Sequence, residues 1–161
     1  MTLKSSFAPI INERAKILIL GSLPGDLSIA KQEYYAHPQN RFWKLIFQLH
    51  QQTWSNQYAT KVQVLKDHHL ALWDICATAS RLGSMDNAIH TVIVNPINEL
   101  LISYPNIQKI VFNGKKAQQL HDQQVKRSPS ITYITLPSSS PANALWNFEK
   151  LIQIWGEALK P

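Results

Sequence analysis

Four short apolar runs constrain this chain more than any other feature: Ile17–Leu20, Leu70–Trp73, Ile110–Phe112 and Ile131–Leu136. Their largely continuous apolar character suits strands buried on both faces, as in a parallel sheet. The runs end at Gly21, Asp74, Asn113 and Pro137. Between them lie stripes at helical spacing. Phe42, Leu45, Ile46 and Leu49 form one, Val62, Leu65 and His69 a second, Ile97, Leu100, Leu101 and Tyr104 a third. Ala117, Leu120 and His121 follow Gly114, and Leu145, Phe148, Leu151, Ile152, Trp155 and Leu159 make the longest stripe. Strands alternating with helices predict an α/β fold, a three-layer α/β/α sandwich around a central, mainly parallel four-stranded sheet.

At 161 residues the sequence reads as one domain spanning positions 1–161, large enough to fold without a metal or disulfide staple. Its single cysteine, Cys76, excludes a disulfide framework and a cysteine-based zinc site, and reads as a small buried hydrophobe. No His, Cys or carboxylate cluster stands at ligand spacing, so no metal is expected. The net charge of +6, spread with no basic run longer than Lys115–Lys116, fits a groove for a polyanion rather than a basic tail. The start of the chain lacks the apolar stretch of a signal peptide, and no apolar run reaches membrane-spanning length. The expected setting is the cytoplasm, away from any membrane.

In an open parallel sheet, ligands bind beyond the carboxyl ends of the strands. The unusual residues fall there: Gly21-Ser22-Leu23-Pro24-Gly25-Asp26 after the first run, Asp74 after the second, Asn113-Gly114 after the third, and Pro137-Ser138-Ser139-Ser140-Pro141-Ala142-Asn143 after the fourth. Each has a plain structural alternative. Gly21 and Gly25 suit a tight turn. Ser140 and Pro141 suit the N-cap and first position of a helix, whose N–H groups also bind anions. Asn40, just before an amphipathic stripe, is an N-cap candidate. Tyr34 and Tyr35 suit a core. Asp74 stands out, because a buried strand rarely ends on a carboxylate without a partner.

Three segments together carry a resemblance: Gly21-Ser22-Leu23-Pro24-Gly25, Tyr34 to Trp43 (YYAHPQNRFW), and Ser138-Ser139-Ser140-Pro141-Ala142-Asn143. They resemble the uracil-DNA glycosylase superfamily, and most closely its hypoxanthine (deoxyinosine) branch. The resemblance implies an α/β/α fold, a partner DNA carrying a deaminated base, monomeric action, and hydrolysis of an N-glycosidic bond without metal or organic cofactor. Leu23 stands where much of the superfamily has a water-activating Asp or Asn, which argues against an ordinary uracil glycosylase. Asn40 then takes over that role, holding the water through its amide oxygen. Tyr35 matches the aromatic that stacks on the flipped base, and Asp74 the position that reads its edge. Ser138 stands where uracil glycosylases have a catalytic His, Ala142 where they have a bulky intercalating side chain, and Asn143 closes the motif.

The mechanism so implied uses backbone N–H groups of Ser22 to Gly25 and Ser138 to Asn143 for the charge on the leaving base. Gly21 and Asn113 line the same pocket. Ser138, Ser139, Ser140 and Pro141 grip phosphates, with Arg41, Lys115 and Lys116 as outer contacts. Three other readings stand beside it. One is excision of uracil, and another is a catalytically weak protein that binds damaged DNA. The third, a general nucleotide-binding or hydrolase domain, lacks a phosphate-loop or GxSxG motif.

Overall fold

The computed structural model describes residues 3–161. In chain order the elements are β1 (Leu3–Ser5), β2 (Ile17–Gly21), α1 (Asp26–Lys31), α2 (Phe42–Leu49), α3 (Tyr58–Asp67), β3 (Leu70–Asp74), β4 (Cys76–Ser80), a 3-10 turn (Asp86–Ala88), β5 (His90–Val94), α4 (Ile97–Ser103), β6 (Lys109–Asn113), α5 (Lys115–Gln124), β7 (Thr132–Leu136) and α6 (Phe148–Ala158).

The four apolar runs are the four strands of a parallel sheet, in the order β3-β2-β6-β7. Alternate residues of each strand enter different cores. Ile17, Ile19, Leu70, Leu72 and Val111 pack with Phe42, Leu45, Ile46, Leu65, Leu151 and Trp155, beneath α2, α3 and α6. Leu18, Leu20, Ala71, Trp73, Ile110 and Phe112 pack with Ile97, Ala117 and Leu120, beneath α4 and α5. Burial on both faces removes the period-two pattern and produces the continuous runs. This is the three-layer α/β/α sandwich predicted from the sequence.

A second sheet was not legible in the sequence: β1, β4 and β5 pair antiparallel in the order β1-β4-β5. It grows directly from β3. Past Asp74 the chain leaves the parallel sheet, with Ile75 and Cys76 donating their N–H groups to the carbonyls of Gly21 and Ser22. Cys76 is buried in the second core, and burial pushes its thiol up to about 12.

Two helix expectations need correction. The last helix starts at Phe148, not after Ser140–Pro141. Its cap is Asn147, whose side chain accepts from the Lys150 N–H at 2.9 Å. Residues 140–146 form turns whose carbonyls are drawn to the Arg41 guanidinium instead of continuing a helical ladder. Leu145 therefore leaves the predicted apolar stripe and is 90% exposed. His69 likewise leaves the second stripe: its φ of 59° is left-handed, and α3 ends before it.

Candidate active site

The parallel register sets Gly21 beside Asp74, and Asn113 beside Leu136, at the carboxyl ends of the sheet. A β-carbon on Gly21 would lie 2.6 Å from Asp74 Oδ1 and 2.7 Å from the Tyr35 hydroxyl. Glycine is required there because two polar groups converge on the space a side chain would fill.

Asp74 is buried, and its Oδ2 meets no hydrogen-bond donor. Burial, helped by the neighbouring carboxylate of Asp86, pushes its pKa up to about 7, with Arg81 pulling the other way. At neutral pH the side chain is therefore poised between carboxylate and acid. Tyr35 faces it across Gly21. Its φ of 53° is left-handed, a conformation that costs a non-glycine residue about 1–2 kcal/mol. Stacking on Phe42, with ring centroids 4.3 Å apart, holds it there. Burial and the Asp74 charge keep its phenol protonated far above neutrality.

From Tyr35 a relay of hydrogen bonds runs to Asn40, and obligate donors fix every direction along it. The Ser139 N–H donates to Asn113 Oδ1 at 2.9 Å, so the other end of that amide is Nδ2. Asn113 Nδ2 donates to the Tyr35 hydroxyl and to Ser139 Oγ, both at 3.0 Å. Ser139 Oγ then donates its own proton to Asn40 Oδ1 at 2.9 Å. The Phe42 N–H donates to that same oxygen at 3.0 Å. Asn40 thus holds the first N–H of α2 from one position before the N-cap, which is Arg41 rather than Asn40 itself. The expectation that its amide oxygen carries a water is corrected, because that oxygen already accepts two donors. What Asn40 offers a substrate is its NH2.

The serine loop sorts its residues by the same logic. Ser139 is fully buried, so it is a member of the relay and not the phosphate contact expected. Ser138 and Ser140 are half-buried; their hydroxyls accept from the N–H groups of Ser140 (3.0 Å) and Ala142 (3.2 Å), which leaves each an O–H to donate outward. Asn143 Nδ2 donates to the Ser138 carbonyl at 3.1 Å, bracing the loop. Pro141 and Ala142 are exposed at its tip. Arg41 is turned inward, against expectation. Its guanidinium donates to the carbonyls of Ser139, Ser140, Asn143 and Trp146, so it holds the loop rather than a phosphate.

The first loop is also more structural than expected. Leu23 is buried in the second core. Ser22 Oγ donates to Asp86 Oδ1 at 2.7 Å. The Pro24 carbonyl accepts from the buried Arg81, and Gly25 precedes α1. Only the backbone of this segment is left to face a ligand. Lys115 and Lys116 open α5 just past the strand end, the first exposed and the second half-buried. Neither is in an ion pair among the described residues. Gly114 has φ at 100°, and a β-carbon there would lie 3.2 Å from Ser138 Cβ.

Arg81, Asp86 and Asn95 were missed from sequence. Arg81 and Asp86 set the electrostatics around Asp74, and Asn95 Nδ2 donates to the Asp74 carbonyl at 2.7 Å. The only signal for the first two is an opposite-charge pair flanking Gly83. Among the described residues, no three His, Cys, Asp or Glu side chains gather so as to hold a metal ion.

A three-layer domain that gathers a buried carboxyl, a tyrosine and an oriented amide at its strand ends is an α/β domain that takes a ligand at that edge. The chain belongs to the uracil DNA glycosylase superfamily, which matches residues 8–159. A hypoxanthine DNA glycosylase from Methanosarcina barkeri is 36% identical over 158 residues, 98% of this chain and 98% of its own length. Another from Methanosarcina acetivorans is 37% identical over 142 residues, 88% of this chain and 89% of its own length. A solution NMR structure from Methanosarcina acetivorans, provisionally described as a uracil DNA glycosylase, superimposes with a TM-score of 0.85 at 34% identity, covering 98% of this chain and 97% of that one.

Proposed function

We propose that this chain is a monofunctional DNA N-glycosylase, working as a monomer in the cytoplasm, that flips hypoxanthine out of DNA and hydrolyses its N-glycosidic bond. The relay that runs to Asn40 from Tyr35, whose hydroxyl converges with the buried Asp74 over Gly21, is the observation that carries this reading, and the names of its relatives support it.

The reaction breaks the bond between C1′ and the base nitrogen. The electron pair leaves with the base, water bonds to C1′, and a water proton is released. Flipping costs a few kcal/mol, less at a mispaired base. Stacking on an aromatic recovers about 1–3 kcal/mol. Phe42 takes one face of Tyr35, so a flipped base uses the other. Protonated Asp74 matches the edge of hypoxanthine with two hydrogen bonds, accepting from N1–H and donating to O6. A neutral acid also avoids facing the charge that grows on the departing base. The Asn40 NH2 donates to that base or to the attacking water's oxygen. It takes no proton from either, so its contribution is orientation and charge stabilisation.

Outside the pocket, the hydroxyls of Ser138 and Ser140 and the ammonium groups of Lys115 and Lys116 contact phosphates. The small Ala142 is a poor wedge. Leu145, fully exposed a few residues on in the loop that Arg41 braces, is the apolar group that enters the base stack.

Single-turnover cleavage of duplexes carrying one deoxyinosine or one deoxyuridine, followed by alkali, tests the reading. Strand breaks at deoxyinosine support it. Breaks mainly at deoxyuridine assign the pocket to uracil. Intact strands with both lesions, alongside tight DNA binding, leave the damage-binding alternative.

A further inference from the structure

A groove of about 390 Å³ opens beside the candidate site, sharing Tyr35 and Asn40 with it and running between α2 and α3. Lys31, Lys44 and Lys61 line it against a single carboxylate, Glu33. Lys61 is the unusual member. Its ammonium sits 5.0 Å from the ring centre of Trp54 and 6.0 Å from that of Trp43. It is half-buried, and no carboxylate lies within ion-pair distance among the described residues. Burial pulls its pKa down, Glu33 opposes that pull, and the nearby Lys31 adds a smaller contribution to it. An ammonium held between two indoles without a counterion, in a groove of excess positive charge, is complementary to an anion. Trp54 is 43% exposed and adds an aromatic surface at the rim. Lysines interleaved with aromatics along a groove suit an extended polynucleotide strand.

We infer that this groove seats the phosphodiester backbone of the lesion-bearing strand as it runs on from the flipped nucleotide, with a phosphate on Lys61. The inference rests on the glycosylase reading, since it makes the occupant the substrate's own strand. It adds an assignment for Lys61, Lys44 and Lys31, whose side chains lie outside the Asn40–Tyr35 relay and the serine loop.

The test is the salt dependence of DNA binding, read by fluorescence anisotropy with undamaged single strands and with deoxyinosine duplexes. Lys61→Met keeps the packing between the indoles and removes the charge. It should lower the slope of log affinity against log salt by about 0.7–0.9 and weaken binding roughly fivefold. Lys44→Gln, at an exposed position in the same groove, should act in the same direction even if Lys61→Met disturbs the tryptophans. Lys16→Gln, just before β2 at the opposite edge of the sheet, should keep the wild-type slope. Wild-type slopes in both groove variants would overturn the inference, as would an equal loss in Lys16→Gln. Binding to undamaged DNA needs no chemistry, so a wild-type protein that excises neither base would sink the glycosylase reading and leave this comparison standing.

Discussion

Asp74→Asn should make the protein more stable and should remove a pH dependence from its activity. The carboxyl is 3% exposed, and its pKa is raised from an ordinary 3.8 to about 7. The folded state therefore holds this proton more tightly than the unfolded chain. The stability so gained is full below pH 3.8, falls as pH rises through the window to about 7, and is gone above it. A shift of that size is worth about 4 kcal/mol. Asparagine has nearly the same shape but does not titrate, so it behaves as a permanently protonated Asp74. The variant should match wild type near pH 3.5 and exceed it by at most about 4 kcal/mol at pH 8. In a domain of this length that is a rise in Tm of up to roughly 8–16 °C. Thermal and urea melts of both proteins at pH 3.5, 5.5 and 8 measure the gap. Deoxyinosine excision by wild type should fall as pH climbs through 7, and the variant's profile should stay flat there. A stability gap that is the same at every pH would refute the argument, because it would show that Asp74 carries no buried charge to be relieved.

Four other substitutions probe the relay and its loop. Asn40→Asp keeps an oxygen for the Phe42 N–H and the Ser139 hydroxyl but replaces the NH2 with an anion. Single-turnover excision should fall at least ~100-fold while DNA affinity drops only modestly, and retained activity would show that the residue works as a base. Ser139→Ala leaves Asn40 Oδ1 one donor short; it should cost about 1–2 kcal/mol in urea melts and slow excision about tenfold, with an unchanged Kd for DNA. Arg41→Ala frees the carbonyls of Ser139, Ser140, Asn143 and Trp146. It should speed protease cleavage within residues 138–147 and weaken DNA binding, which a wild-type digestion pattern would contradict. Leu145→Ala removes an exposed side chain, so Tm should stay within about 2 °C while affinity for deoxyinosine duplex falls about tenfold in anisotropy titrations.

The parallel sheet was legible because burial on both faces writes a continuous apolar run. The antiparallel sheet was not: β4 is built of small residues, β5 is largely exposed, and β1 is three residues long. At the site, residue types were more legible than directions. Three consecutive serines look alike in sequence, yet only the middle one is fully buried, which places its neighbours on the outward side of the loop. Arg41 reads as a surface cation because nothing local reports that its partners lie about a hundred residues further along. Asn40 is the more instructive residue. Sequence reasoning set helix cap and catalytic group as alternatives; the N-cap of α2 is Arg41, yet Asn40 still holds the first helical N–H. The Phe42 N–H is a donor whatever the fold, so accepting from it pins the amide oxygen, and the Ser139 hydroxyl locks it. The amide oxygen is then committed within the protein, and the orientation of the side chain is fixed by two donors.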